Sequence, residues 1–172
     1  MKLFYICTLL VALAYTTNAQ TIYTTTTDPN HPEQKMLVGA ISSTLLSADT
    51  AAFKWYADSY KYYTPDANTV AIFKQHAQLQ FIIFGGTWCE DTQTILPKFF
   101  KLQQLALIPD SNITFFAVDR NKKVASNLTQ ALGITNVPTI IVYKNGKEIG
   151  RVVEYGKTGK WDAELAEVIK AN

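Results

Sequence analysis

The side chain best suited to covalent chemistry in this 172-residue chain is Cys89. It stands in the stretch Phe81-Ile82-Ile83-Phe84-Gly85-Gly86-Thr87-Trp88-Cys89-Glu90-Asp91-Thr92. A cysteine reacts as its thiolate, and the reaction open to it is attack on a disulfide or another soft electrophile. Its neighbours act on that charge in opposite directions. A helix start presents unpaired backbone N–H groups and the positive end of a dipole, which favour the thiolate. Glu90 and Asp91 suit a first helical turn but oppose a second negative charge beside them. Other constellations are weak. His31 and His76 are too isolated to build a zinc set, so no metal is expected. Gly156-Lys157-Thr158 has Arg151 where a phosphate loop needs glycine, and it reads as a polar loop. No cofactor is expected.

The elements that position Cys89 follow from pattern. Phe81–Phe84 is short, aromatic and β-branched, which predicts a buried strand. Gly85-Gly86 ends it with a tight turn. Beyond the cysteine, Ile95, Phe99, Leu102 and Ala106 fall on one helical face. Cys89 is therefore expected at the mouth of a helix.

These residues resemble the active-site turn of the thioredoxin superfamily, whose motif is W-C-x-x-C. Val137-Pro138-Thr139, before the apolar run Ile140-Ile141-Val142-Tyr143, is similar to the family segment that sets a cis-proline against the active-site sulfur. Pro97, eight residues after the cysteine, matches a proline of the family's active-site helix. The resemblance covers roughly residue 69 to the C-terminus. It implies an α/β thioredoxin-like fold: a mixed central sheet with helices on both faces, plus an N-terminal helical and strand extension. It also implies site roles. Cys89, Thr92 and Pro138 would form the catalytic set, and Trp88, Gly86 and Val137 the substrate-binding set. The departure is at position 92, a threonine where the family has its second cysteine. A hydrogen bond from Thr92 to the Cys89 sulfur is the most that residue is expected to supply. Ile83 stands where thioredoxins often carry a buried acid.

The remaining chain gives the frame. Residues 1–19 read as a signal peptide: Lys2, an apolar stretch from Leu3 to Tyr15, and the small-residue exit Thr17-Asn18-Ala19, with cleavage before Gln20. Cleavage removes Cys7, leaves Cys89 as the one cysteine, and leaves no stable membrane span. Residues 20–34 read as a flexible polar leader. Residues 35–172 are then a thioredoxin-like domain, with 35–66 as an N-terminal extension and 67–172 as the core. Within it, Met36–Ile41 is expected as a strand and Ser47–Tyr62 as one helix capped by Ser47. Phe53, Tyr56, Tyr60 and Tyr63 share that helix's face, either as a peptide- or sugar-binding surface or as packing against the sheet. Lys123–Leu132 is expected as a helix. Asn145-Gly146 marks a hairpin, and Trp161–Lys170 a closing amphipathic helix.

Nearly half the residues are apolar, 17% are charged and the net charge is +2, so no nucleic-acid partner is expected. The function expected is that of an exported, periplasmic or secreted protein in thiol–disulfide exchange. Its single nucleophile would form mixed disulfides with exported proteins or small-molecule thiols, resolved by an external thiol. The alternatives are a non-catalytic peptide-binding module and a monothiol glutaredoxin-like protein using glutathione. Substrate, electron donor and oligomeric state are not legible.

Overall fold

The computed structural model describes residues 22–124 and 127–172. The signal peptide expected over residues 1–19 lies outside the described residues. Six strands form one mixed sheet: β1 (Tyr23–Asp28), β2 (His31–Ile41), β3 (Gln80–Gly85), β4 (Ile113–Ala117), β5 (Thr139–Lys144) and β6 (Lys147–Val153), in the order β1-β2-β4-β3-β5-β6. The β3–β4 pair is parallel, and every other neighbouring pair is antiparallel. Among the described residues, six α-helices accompany the sheet: α1 (Ser43–Ala48), α2 (Lys54–Lys61), α3 (Ala67–Gln75), α4 (Glu90–Leu105), α5 (Leu128–Ala131) and α6 (Trp161–Lys170).

Alternation along the central strands divides the core. Phe81 and Ile83 of β3, Phe115 of β4 and Ile140 and Val142 of β5 face a large cluster. That cluster is filled by Leu46, Phe53, Tyr56, Phe73, Ile95, Phe99, Leu102, Trp161 and Leu165 from α1, α2, α3, α4 and α6 and their approaches. Phe84 and Ile141 face the other way. They pack with Val118, Val124, Ile134 and Val137, and α5 adds Leu128. Helices therefore stand on both faces, unequally. Among the described residues, no helix is long and apolar enough to cross a membrane.

Three expectations are corrected. The leader predicted over residues 20–34 is, where described, a hairpin edge of the sheet. Tyr23-Thr24-Thr25-Thr26-Thr27 is rich in β-branched side chains, and Asp28-Pro29-Asn30 turns the chain, with the Asn30 N–H donating to Asp28 Oδ1 at 3.0 Å. Gly39 permits the pairing. It has φ +127°, and a Cβ there would lie 2.4 Å from the Ile22 carbonyl oxygen. The single helix predicted from Ser47 to Tyr62 is two helices. Ser42, not Ser47, caps the first by accepting from the Leu45 N–H at 3.3 Å. Asp49 stops it: its carboxylate accepts from the Ala52 N–H and pairs with Lys35 at 2.6 Å. The helix predicted over residues 123–132 shrinks to α5. Asp119 holds the preceding segment as a turn by accepting from the Lys123 N–H at 2.7 Å, and Lys122 is left-handed at φ 57°.

Other elements follow the pattern. Asn145 and Gly146 both have positive φ, 53° and 75°, as a two-residue hairpin turn requires. The aromatic face of α2 packs against the core and also lines a cavity. Phe53 and Tyr56 are buried, Tyr60 and Tyr63 lie against the same cluster, and the Tyr63 hydroxyl donates to Asp162 at 2.7 Å. The backbone N–H groups of Lys157 and Thr158 donate to the Glu164 carboxylate, which removes them as a phosphate cradle.

Candidate active site

Strand β3 ends in the core, and its last residue starts the turn that carries Cys89. Neither turn glycine tolerates a side chain. A Cβ on Gly85 would lie 2.7 Å from Leu96 Cδ1 and 2.9 Å from Thr92 Cγ2; one on Gly86 would lie 2.5 Å from the Trp88 ring. Because Gly86 is bare, the indole folds back over the turn and its Nε1–H donates to the Val118 carbonyl at 2.9 Å. Cys89 then occupies the N-cap of α4 in extended backbone, φ −96°, ψ 122°. Its carbonyl accepts the first helical bond, from the Gln93 N–H at 2.9 Å. The Gln93 side chain returns to the Thr87 carbonyl at 2.9 Å and ties the turn to the helix.

The sulfur faces the β5 entry. The Val137–Pro138 peptide bond is cis, and the Cys89 S–H donates to the Val137 carbonyl at 3.2 Å. Val137 and Pro138 are buried, while Trp88 and Cys89 are half-exposed. The tertiary fold thus unites Trp88, Cys89, Val137 and Pro138 across 48 residues of sequence.

Two expected roles change. Thr92 makes no hydrogen bond to the sulfur. It is fully buried, and its hydroxyl accepts from the Gly86 N–H at 3.1 Å, so it holds the turn. Gly86 is likewise enclosed beneath Trp88 and shapes the site from within, out of a substrate's reach. Pro97 is buried inside α4.

Two residues escape a reading of the sequence. Asp28, in the β1–β2 turn, is completely buried, and Arg120, just beyond β4, grips it with a two-pronged pair: Nε to Oδ1 and an NH2 nitrogen to Oδ2, both 2.6 Å. Hydrogen bonding from Arg120 holds the Asp28 carboxyl at about 2, against burial that pushes it up. The same guanidinium lies over the Trp88 ring, 4.8 Å from its centroid. The hydrogen bonds to Asp28 raise the Arg120 pKa, with smaller contributions from the charge of Asp28 and from Cys89 nearby. The available signal was the β-branched run ending in Asp-Pro-Asn, which marks a hairpin whose acid needs a partner.

A cavity of about 870 Å³ lies elsewhere, between α1, α2 and the far end of α4, lined by Ser43, Tyr56, Tyr60, Phe100 and Leu107. None of its lining residues belongs to the Cys89 turn. Cys89 itself is half-exposed.

A family model described as Thioredoxin matches residues 42–164, most of the chain. The chain belongs to the thioredoxin family. It is 30% identical to the thioredoxin of Echinococcus granulosus over 89 residues, covering 52% of this chain and 73% of that protein. Thioredoxin-1 of Schizosaccharomyces pombe is 32% identical over 95 residues, 55% of this chain and 82% of the relative. Among solved structures, reduced Schistosoma mansoni thioredoxin pre-protein is similar with a TM-score of 0.39 and 30% identity, covering 62% of this chain and 90% of that one. Membership assigns this thioredoxin-family chain a thiol–disulfide redox role in general terms. The β1–β2 hairpin precedes the matched range.

Gly86 offers a direct check on the turn. Gly86→Ala is expected to displace Trp88 and to cost about 1–3 kcal/mol, as overpacking of a tight site does. A urea unfolding midpoint unchanged from wild type would contradict the packing described.

Proposed function

We propose that this protein is exported and performs thiol–disulfide exchange through Cys89 alone, with an external thiol completing each cycle. The observation that carries the proposal is the asymmetry of the motif. Cys89 is half-exposed with its sulfur 3.2 Å from the Val137 carbonyl, while position 92 is an enclosed threonine bonded to Gly86. The Cys89 thiolate attacks one sulfur of a substrate disulfide. A Cys89–substrate disulfide forms, and the other substrate sulfur leaves as a thiolate. An external thiolate then attacks the substrate sulfur of the adduct, forming a new disulfide with it and returning Cys89 as thiolate. Electrons balance over the two exchanges. A half-exposed cysteine suits disulfides presented on proteins or small molecules, and the Lys2-to-Ala19 composition supports export.

Intact mass spectrometry tests both parts. Protein isolated from its native host is expected to begin at Gln20. With oxidised glutathione it should gain one glutathionyl group, removed by added thiol and absent in Cys89→Ser. A folded protein that takes up no adduct would leave Cys89 inert and make a binding module the better account. A chain that retains Met1–Ala19 would overturn export.

A further inference from the structure

We infer that the β1–β2 hairpin is a brace for the redox turn, and that Asp28 and Arg120 are positioning residues acting on Cys89 through Trp88. The inference rests on the Cys89 chemistry proposed above. Two separate tethers carry it. In the first, the buried Asp28 carboxylate fixes Arg120 by two hydrogen bonds, and the guanidinium carbon lies over the Trp88 ring, 4.8 Å from its centroid. The indole is pinned on its other contacts too, by its bond to the Val118 carbonyl and by the bare Gly86 beneath it. Trp88 is the residue directly before Cys89, and the Cys89 N–H donates to the Gly86 carbonyl at 2.9 Å, so an indole displaced from its seat on Gly86 strains the turn that sets the sulfur. In the second tether, the Leu37 N–H of β2 donates to Thr87 Oγ1 at 3.2 Å, a buried bond across 50 residues. Thr87 is the residue directly before Trp88. The hairpin therefore reaches two consecutive residues of the turn, Thr87 directly and Trp88 through Arg120, from outside the range that the family model matches.

The chemistry of the pair explains why arginine occupies position 120. A fork is needed to engage both carboxylate oxygens and still present a flat face to the ring; a lysine ammonium offers a point charge and no plane. A buried aspartate is an effective anchor because it has no solvent to turn to. Its other contact is the Asn30 N–H, within the same turn.

The test uses full-length protein labelled with 5-fluorotryptophan. Fluorine NMR resolves Trp55, Trp88 and Trp161, with the Trp88 line assigned by Trp88→Phe. Cys89 is followed in parallel by its second-order rate with 2,2′-dithiodipyridine, a neutral disulfide. In Arg120→Lys and Asp28→Asn the Trp88 line is expected to shift or broaden while the Trp55 and Trp161 lines stay in place. The Cys89 rate should fall on the order of tenfold, because a displaced turn changes both access to the sulfur and the helix-start environment that favours its thiolate. The double variant Asp28→Asn with Arg120→Lys should be no slower than the worse single one, since both break the same chain of contacts. If the Trp88 line is unchanged in folded Arg120→Lys, the brace is refuted, whatever Cys89 does. If Arg120→Lys perturbs Trp88 but Asp28→Asn does not, the hairpin is not the anchor and the inference fails. If wild-type Cys89 does not react at all, the exchange function falls, and the fluorine spectra still decide whether the hairpin positions Trp88.

Discussion

Thr92→Cys is expected to give Cys89 a resolving thiol of its own and so to speed disulfide reduction. Wild type should turn over insulin slowly with dithiothreitol, because nothing at position 92 can attack the Cys89 adduct and each cycle waits for the external thiol. The variant sets a second sulfur one helical turn away, at the start of α4, within the separation that a disulfide spans. Mild oxidation should remove two hydrogens from its intact mass. The gain in turnover will be partial for reasons visible in the site. Ile83 is fully buried where an acid would accept the resolving thiol's proton, and Glu90 and Asp91 still oppose charge on sulfur. The variant should also be less stable. The Gly86 N–H loses a hydroxyl acceptor, and sulfur accepts weakly, a loss of about 1–3 kcal/mol for a buried donor. Failure to close the bond would show that residues 89 and 92 do not share the geometry described. Wild-type turnover equal to that of the variant would show that resolution bypasses position 92.

Arg120→Met is expected to be the most destabilising single substitution near the site. It strips the Asp28 carboxylate of two charge-assisted hydrogen bonds, a loss of about 2–4 kcal/mol. The melting temperature should fall on the order of 10 °C. The pH dependence carries a definite sign. In wild type the folded-state value for Asp28 is about 2, below its ordinary 3.8. Its contribution is therefore fully present above pH 3.8 and is lost as pH falls from there through about 2. In Arg120→Met the main lowering influence is gone and burial, which raises the value, remains. Acidification then neutralises a costly buried charge and favours the folded variant. The stability gap between the two proteins should begin to narrow above pH 3.8, where the raised Asp28 of the variant takes up its proton, and go on narrowing through about 2. A gap that starts to narrow only below pH 3.8 would show that Asp28 is solvated when Arg120 is removed.

These two experiments separate the parts of the site that are local in sequence from those that are not. The strand, the glycine turn, the cysteine at a helix mouth and the Asn145-Gly146 hairpin were all legible in the sequence. Each depends on residues within a few positions of one another, where side-chain period and backbone preference act directly. The Val137-Pro138 segment was legible through its resemblance to a family.

The tertiary structure decided what threonine, aspartate and arginine do. Thr92 lies one turn from Cys89, which suggested a bond between them. Burial beneath the turn instead gave its hydroxyl to the Gly86 N–H. Asp28 and Arg120 are 92 residues apart, and no local pattern links them. Their pairing exists because β2 lies beside β4 in the sheet, which brings the β1–β2 hairpin to the end of β4. The Thr-rich stretch looked like a free leader because its side chains are polar and mostly exposed. What holds it in place is a ladder of backbone hydrogen bonds along β2 and one buried carboxylate. Ladder pairing is open to any extended backbone, so its partner is set by the sheet and not by the side chains of the strand itself.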